Sequence, residues 1–235
     1  MVKPSERIAR GPLAGLPPIQ PLPTAAERAA DLIRQYIFEG QFAPGTPLPE
    51  ASLSEALQVS RNTVREAFRT LISEHLLIHE PHKGVTVRWL TERDVTDIYK
   101  LRRMFELGVF DLASGGRLQL PVSVQEEIGK VVAGAEAAAG RAEWAEVGTA
   151  NLRYHALLVE LHDSERINDT FRRLMTELRL GFLAHEDPAA FHGSFLMRNR
   201  KIHEQITRGE LAEARAELAS YLDDAEADVL RAVRQ

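Results

Sequence analysis

The sequence predicts a mainly α fold, in which an N-terminal winged helix-turn-helix of three helices plus a β-hairpin is followed by an all-α antiparallel helical bundle. Three observations carry that prediction. Between Thr24 and Ile72, apolar residues recur with helical period in three blocks separated by turn formers. Two short extended runs come next, at 77–80 and 85–88, joined by Pro81-His82-Lys83-Gly84. After Trp89 and Leu90 the strand pattern does not return, and helical stripes continue to the end of the chain.

Taken in order, residues 1–23 hold Pro4, Pro12, Pro17, Pro18, Pro21 and Pro23. That density deprives helices and ladders of N–H donors, so a disordered proline-rich arm is expected, with Lys3, Arg7 and Arg10 read as an uninvolved tail. Thr24 can cap a helix whose inward stripe is Ala29, Leu32, Ile33, Tyr36 and Ile37, and Gly40 stops it. The connection 41–49 is full of Pro and Gly. A short helix at about 50–57 is expected to bury Leu53 and Leu57. Ser60 then caps a third, with the stripe Val64, Ala67, Phe68, Leu71 and Ile72. Thr91 with Asp94 has the spacing of a capping pair and opens a helix to about Ser114. Further helices are expected at about 122–139, 142–162, 164–184, 189–208 and 210–233. Residues 24–90 form one expected domain, the winged helix-turn-helix, and 91–235 a second, all-helical one.

Composition narrows the classes. Hydrophobic residues at 44% and charged ones at 27% suit a soluble globular protein. No apolar run approaches the roughly 18 residues needed to cross a bilayer, and residues 1–18 lack the apolar core of a secretory signal. With no cysteine, disulfides, thiolate metal sites and cysteine nucleophiles are excluded, and a cytoplasmic location is expected. A net charge of −5 opposes general affinity for nucleic acid. Any DNA binding must come from a local basic surface, and should be salt-sensitive and dimer-dependent.

Such a surface is present. In a helix-turn-helix the second helix of the motif enters the major groove by its first turns. Here it begins Ser60-Arg61-Asn62-Thr63-Val64-Arg65-Glu66, and Arg61, Arg65 and Arg69 follow i, i+4, i+8 along one edge of the apolar stripe. Arginine reads guanine bidentately, asparagine reads adenine, and Ser or Thr hold phosphate. His82 and Lys83 sit where a wing meets DNA, and Gly84 permits close approach. The stretch LPEASLSEALQVSRNTVREAFRTLISEHLLIHEPHKGVTV resembles the GntR-type winged-helix family. That resemblance implies base or phosphate contacts for Ser60, Arg61, Asn62, Thr63 and Arg65, and wing contacts for His82, Lys83 and Gly84. Asn62-Thr63 stands in place of a common Thr-Pro, and His75 in place of a usual glycine.

The helical half has its own anomaly: polar residues in apolar stripes. Arg102 falls among Ile98, Phe105, Val109 and Leu112; Asn151 and His155 among Trp144, Val147 and Leu158; Asn199 among Phe195, Ile202 and Ile206; Tyr221 among Leu218, Leu222 and Ala225. An unpaired buried polar group costs roughly 1–3 kcal/mol, so these five are expected to satisfy one another, water or a small-molecule effector. Arg102-Arg103-Met104-Phe105-Glu106, Asn151-x-x-x-His155 and Ile206-Thr207-Arg208-Gly209-Glu210 resemble the FCD branch, the FadR-like regulators. Many members of that branch hold a divalent metal through Asp-x-x-x-His and two later histidines. Here the corresponding positions carry Asn151, His155, Asn199 and Tyr221, which predicts weak metal binding or none, with His203 one turn from Asn199 as an alternative ligand. An organic, carboxylate-bearing effector paired with Arg102 is the expected occupant.

The resulting expectation is a homodimeric, ligand-responsive repressor that reads a pseudo-palindromic double-stranded DNA operator. Alternatives are metal-dependent sensing through the degenerate Asn/His site, an enzyme, or a ligand-binding protein that does not bind DNA. No P-loop, GxGxxG, GxSxG, HExxH or CxxC occurs, so no catalytic residue is named.

Overall fold

The computed structural model describes residues 22–116 and 121–234. The arm expected over 1–23 lies, apart from Leu22 and Pro23, outside the described residues.

The first three helices are α1 (Ala25–Phe38), α2 (Glu50–Leu57) and α3 (Arg61–Ser73). Thr24 and Glu27 form a full capping box on α1, and Ser60 Oγ accepts from the Thr63 amide at the start of α3. α1 packs on α3 around Ile33, Ile37, Val64, Phe68 and Leu71, all buried. A hairpin comes next, β1 (Leu77–Glu80) antiparallel to β2 (Gly84–Val87), with Leu77 opposite Val87 and Glu80 opposite Gly84. Three helices and a hairpin make the predicted winged helix-turn-helix.

Several details differ from the sequence expectation. Leu32 and Tyr36 lie at the edge of the α1 stripe and are exposed, Tyr36 packing its ring on Phe42 at 5.2 Å. Leu53 and Leu57 are only half-buried, because α2 packs chiefly against the single neighbour α3. Ile72 is exposed where the chain reverses through His75, at φ 61°. The second strand starts one residue early, at Gly84, and Arg88 leaves it to pair with Asp94 and Glu177.

The remaining helices are α4 (Glu92–Arg102), α5 (Gly108–Ser114), α6 (Val122–Gly140), α7 (Trp144–Glu160), α8 (Glu165–Phe182), α9 (Pro188–Thr207) and α10 (Leu211–Val233). Thr91 and Asp94 cap α4 reciprocally. The helix expected to run unbroken to Ser114 is instead interrupted by a π-helical turn, Arg103–Leu107. Such a turn inserts one residue and rotates the helix beyond it, and here it brings Glu106 rather than Phe105 fully into the core. α6, α7, α9 and α10 pack in sequence around α4 and α8, and α1 lies against α8, so one apolar core continues through both halves.

Candidate DNA-reading face and buried polar cluster

The recognition surface comes from α3 and the hairpin loop. Because Val64, Ala67, Phe68 and Leu71 face inward, the intervening side chains must face out. Ser60, Arg61, Asn62, Arg65, Arg69, His82, Lys83 and Gly84 are exposed, and Thr63 is half-buried with its hydroxyl 2.8 Å from Ser60 Oγ. Arg65 Nε donates to both oxygens of Glu50, at 3.0 and 2.8 Å. That pair ties the recognition helix to α2 and leaves both Nη groups of Arg65 outside the pair. Asn62 Nδ2 donates to Glu66 at 3.2 Å, and Lys83 pairs with Glu80 at 2.8 Å. Arg61 and Arg69 have no ion-pair partner among the described residues. His82 at φ 68° and Gly84 at φ 82° turn the wing tip.

The second site lies inside the bundle, and the structure brings the five predicted residues together there. Asn151 Nδ2 donates to Tyr221 Oη at 2.8 Å, and the Tyr221 ring lies 4.9 Å from that of His155. Asn199 shares with Asn151, Tyr154 and His192 a cavity of about 10 Å³, room for about one water. Arg102 stacks over Tyr99 at 4.9 Å. A residue that the stripes did not reveal joins them: Glu106 accepts from Arg102 Nε at 2.7 Å and lies 2.6 Å from His155 Nδ1. Burial pushes the Glu106 carboxyl up, but Arg102 and His155 outweigh it and hold the pKa below the usual value. Burial likewise holds His155 below its ordinary pKa, against the pull of Glu106, so it is neutral near pH 7. Burial raises Tyr221 to about 12. Arg102 Nη1 and Nη2, His155 Nε2, Asn151 Oδ1, Tyr154 Oη and Asn199 Oδ1 are buried without a hydrogen-bond partner among the described residues.

These donors do not fit a resident divalent metal. Among the described residues no group of three or more His, Asp or Glu is arranged to hold one, and zinc normally takes three or four such ligands. His203 does not line the cavity shared by Asn151 and Asn199; its imidazole abuts Gly129 on α6.

A further polar group was also missed. Arg179, on the apolar face of α8 with Phe171, Leu174, Leu178 and Phe182, is 1% exposed, beside His192 of α9. Burial lowers its pKa to about 10, which leaves it charged, and lowers His192 to about 3, which leaves it neutral. The detectable signal was an arginine at i+8 in the stripe that starts at Phe171.

An exposed basic recognition helix with a wing, joined to a helical domain with polar groups in its core, defines a winged-helix transcriptional regulator with an effector domain. Residues 25–87 match the family described as bacterial regulatory proteins, gntR family, and residues 97–224 match the FCD domain. The chain belongs to the GntR family, in its FCD-domain branch. A solved structure described as a putative transcriptional regulator GntR from Rhodococcus sp. RHA1 superposes with TM-score 0.80 at 36% identity, over 87% of this chain and 97% of that one. The HTH-type transcriptional regulator YdhC of Bacillus subtilis is 24% identical over 81% of this chain and 84% of its own length. The gluconate operon transcriptional repressor of Bacillus licheniformis is 37% identical over 84 residues, 36% of this chain and 34% of that protein. That match covers about a third of each protein. Among the described residues no helix is long and apolar enough to cross a membrane.

Proposed function

We propose that the chain is a homodimeric, effector-responsive repressor acting in the cytoplasm, without catalytic activity of its own. Residues 24–90 dock on DNA. Ser60, Arg61, Asn62, Thr63, Arg65 and Arg69 meet bases and phosphates of the major groove, while His82, Lys83 and Gly84 meet the flanking backbone or minor groove. Two copies read the half-sites of a pseudo-palindromic operator. Residues 91–235 dimerise and bind a small carboxylate-bearing molecule among Arg102, Asn151, His155, Asn199 and Tyr221, which shifts the placement of the two DNA-binding units.

The carrying observation is the set of unpartnered polar atoms inside the bundle. Buried polar groups normally find partners, and a polar ligand supplies them. The repressor sign rests on likeness to proteins named as repressors, such as the gluconate operon repressor of Bacillus licheniformis.

The test starts from an operator selected in vitro from random duplexes. Arg61→Ala/Arg65→Ala should abolish specific binding in fluorescence anisotropy while leaving the circular dichroism and oligomeric state unchanged. Undiminished affinity in that variant would overturn the recognition-helix assignment. Native mass spectrometry of the purified protein tests the dimer, and extra organic mass per chain would identify the effector.

A further inference from the structure

Two buried arginines in the helical domain have opposite electrostatic circumstances. The charge of Arg102 is answered by Glu106 at 2.7 Å. Arg179 has no such answer: its Nη2 donates to the Ala145 carbonyl at 3.0 Å, its Nε has no acceptor, and no carboxylate pairs with it among the described residues. A buried cation without a counter-charge is strongly disfavoured, so this position is built for an anion.

The surroundings suit one. Gly148 on α7 has no side chain, and a Cβ there would overlap Arg179 Nη1 and lie 2.8 Å from His192 Nε2. The absent side chain lets the guanidinium edge and the imidazole crowd one point. His192 also lines the 10 Å³ cavity with Asn151, Tyr154 and Asn199, so the point is continuous with the polar cluster. Besides Arg179, the charged group that acts on His192 is His185, just past the end of α8, another imidazole that supplies no negative charge. On the other side, a Cβ on Gly40 would lie 3.0 Å from Nη2, and Gly40 lies two residues past Phe38, the last residue of α1.

We propose that Arg179, with His192, binds the carboxylate of the effector at the seam between the bundle and the winged-helix unit. This rests on the effector reading above and locates the acid group away from Arg102. A bidentate guanidinium–carboxylate pair supplies the missing counter-charge, and the rest of the molecule extends toward Asn151, Tyr154 and Asn199. The cavity must widen to admit it, which displaces the wall formed by Val131, Val132 and Ala135 of α6. Drawing Nη1 toward the cavity changes the contact of Nη2 with Gly40, which is the route to α1.

Formate, the smallest carboxylate, is the probe, with formamide as its neutral counterpart and ionic strength held constant with sodium chloride. The imidazole NMR resonances of His192 and His155, assigned by His192→Gln and His155→Gln, are followed in the full-length protein. Formate should shift His192 saturably and formamide should not. Arg179→Met should remove the saturation, and Arg179→Lys, which keeps the charge but loses the fork, should weaken it at least threefold. If His155 responds and His192 does not, the acid sits by Arg102: the effector reading stands and this proposal falls. A His192 shift undiminished in both Arg179 variants overturns the proposal as well. Saturation of neither ring removes both.

Discussion

The Nδ1 of His155 lies 2.6 Å from one oxygen of Glu106, and neither side chain touches solvent. Since the other oxygen accepts from Arg102, the carboxylate is ionised and the neutral imidazole donates from Nδ1, leaving an acceptor at Nε2. Removing the middle of this chain strands a buried guanidinium. Glu106→Ala is therefore expected to cost about 3–5 kcal/mol. Arg102→Met/Glu106→Met should cost clearly less than the sum of the single changes. Urea unfolding measures both, and simple additivity would show that the pair is not coupled.

Acid should destabilise the protein through its buried histidines. Burial lowers His185 to about 4 and His192 to about 3 from an ordinary 6.5. The unfolded chain then binds protons that the native state refuses, so stability is intact above pH 6.5 and falls as pH drops from there toward 4. At one unit per 1.36 kcal/mol, His192 contributes on the order of 2 kcal/mol of loss by pH 5, and the less buried His185, screened by solvent, contributes less. His192→Gln should accordingly lose less stability than the wild type between pH 7 and pH 5. Parallel losses in the two proteins would contradict a neutral His192.

Glu177 has the opposite sign. Burial raises its pKa to about 7, against Arg88 and with help from Asp94. The native state keeps a proton that the unfolded chain gives up, so stability falls as pH rises from about 4.5 to about 7. Above that window Glu177→Gln should stabilise by about 1–3 kcal/mol, and at pH 4.5 by little. A thermal melt at each pH decides it. Because Arg88 follows the wing and Glu177 lies on α8, the same change probes a link between the two units.

The recognition helix makes a prediction that runs against simple charge. Glu50→Gln removes a negative charge beside the proposed DNA face, which by itself favours binding. Yet Glu50 holds Arg65 by Nε, at 2.8 Å to the nearer oxygen, and so sets where the Nη groups point. If that positioning matters, operator affinity should fall, by about three- to tenfold, while non-specific affinity stays level or rises. Tighter operator binding would mean that Arg65 acts only as a charge.

The helices and the wing were legible because their apolar stripes have the period of the structure, as in Val64, Phe68 and Leu71. The same rule concealed Glu106. Reading helically from Arg102 admits either Phe105 at i+3 or Glu106 at i+4 to the inward face; the apolar stripe selects Phe105, and the π turn, which leaves no mark in the pattern, favours Glu106. Arg179 was hidden differently. Nothing in its sequence neighbourhood says that no carboxylate will meet it, since that depends on Ala145, Gly148 and His192 from two other helices. His75 takes a left-handed φ of 61°, so the backbone there keeps the conformation glycine favours even though the residue has changed.

The polar cluster also predicts how a metal site is lost and regained. Resemblance places Asp, His and His where this chain has Asn151, Asn199 and Tyr221. His155 remains, its Nδ1 held by a carboxylate and its Nε2 without a partner among the described residues, which is how a ligating histidine is usually oriented. Positions 151 and 221 are in contact at 2.8 Å, and 199 shares the cavity with 151. Asn151→Asp/Asn199→His/Tyr221→His should therefore gain stoichiometric Zn²⁺ or Ni²⁺ binding by isothermal titration, and adding His155→Ala should remove it. The wild type should bind at least a hundredfold more weakly, because a neutral amide and a phenol compete poorly with water for a hard or borderline cation. Tight binding of one metal per wild-type chain would show that Asn151 and Asn199 ligate through their unpartnered Oδ1 atoms, and would make this regulator a metal-dependent sensor.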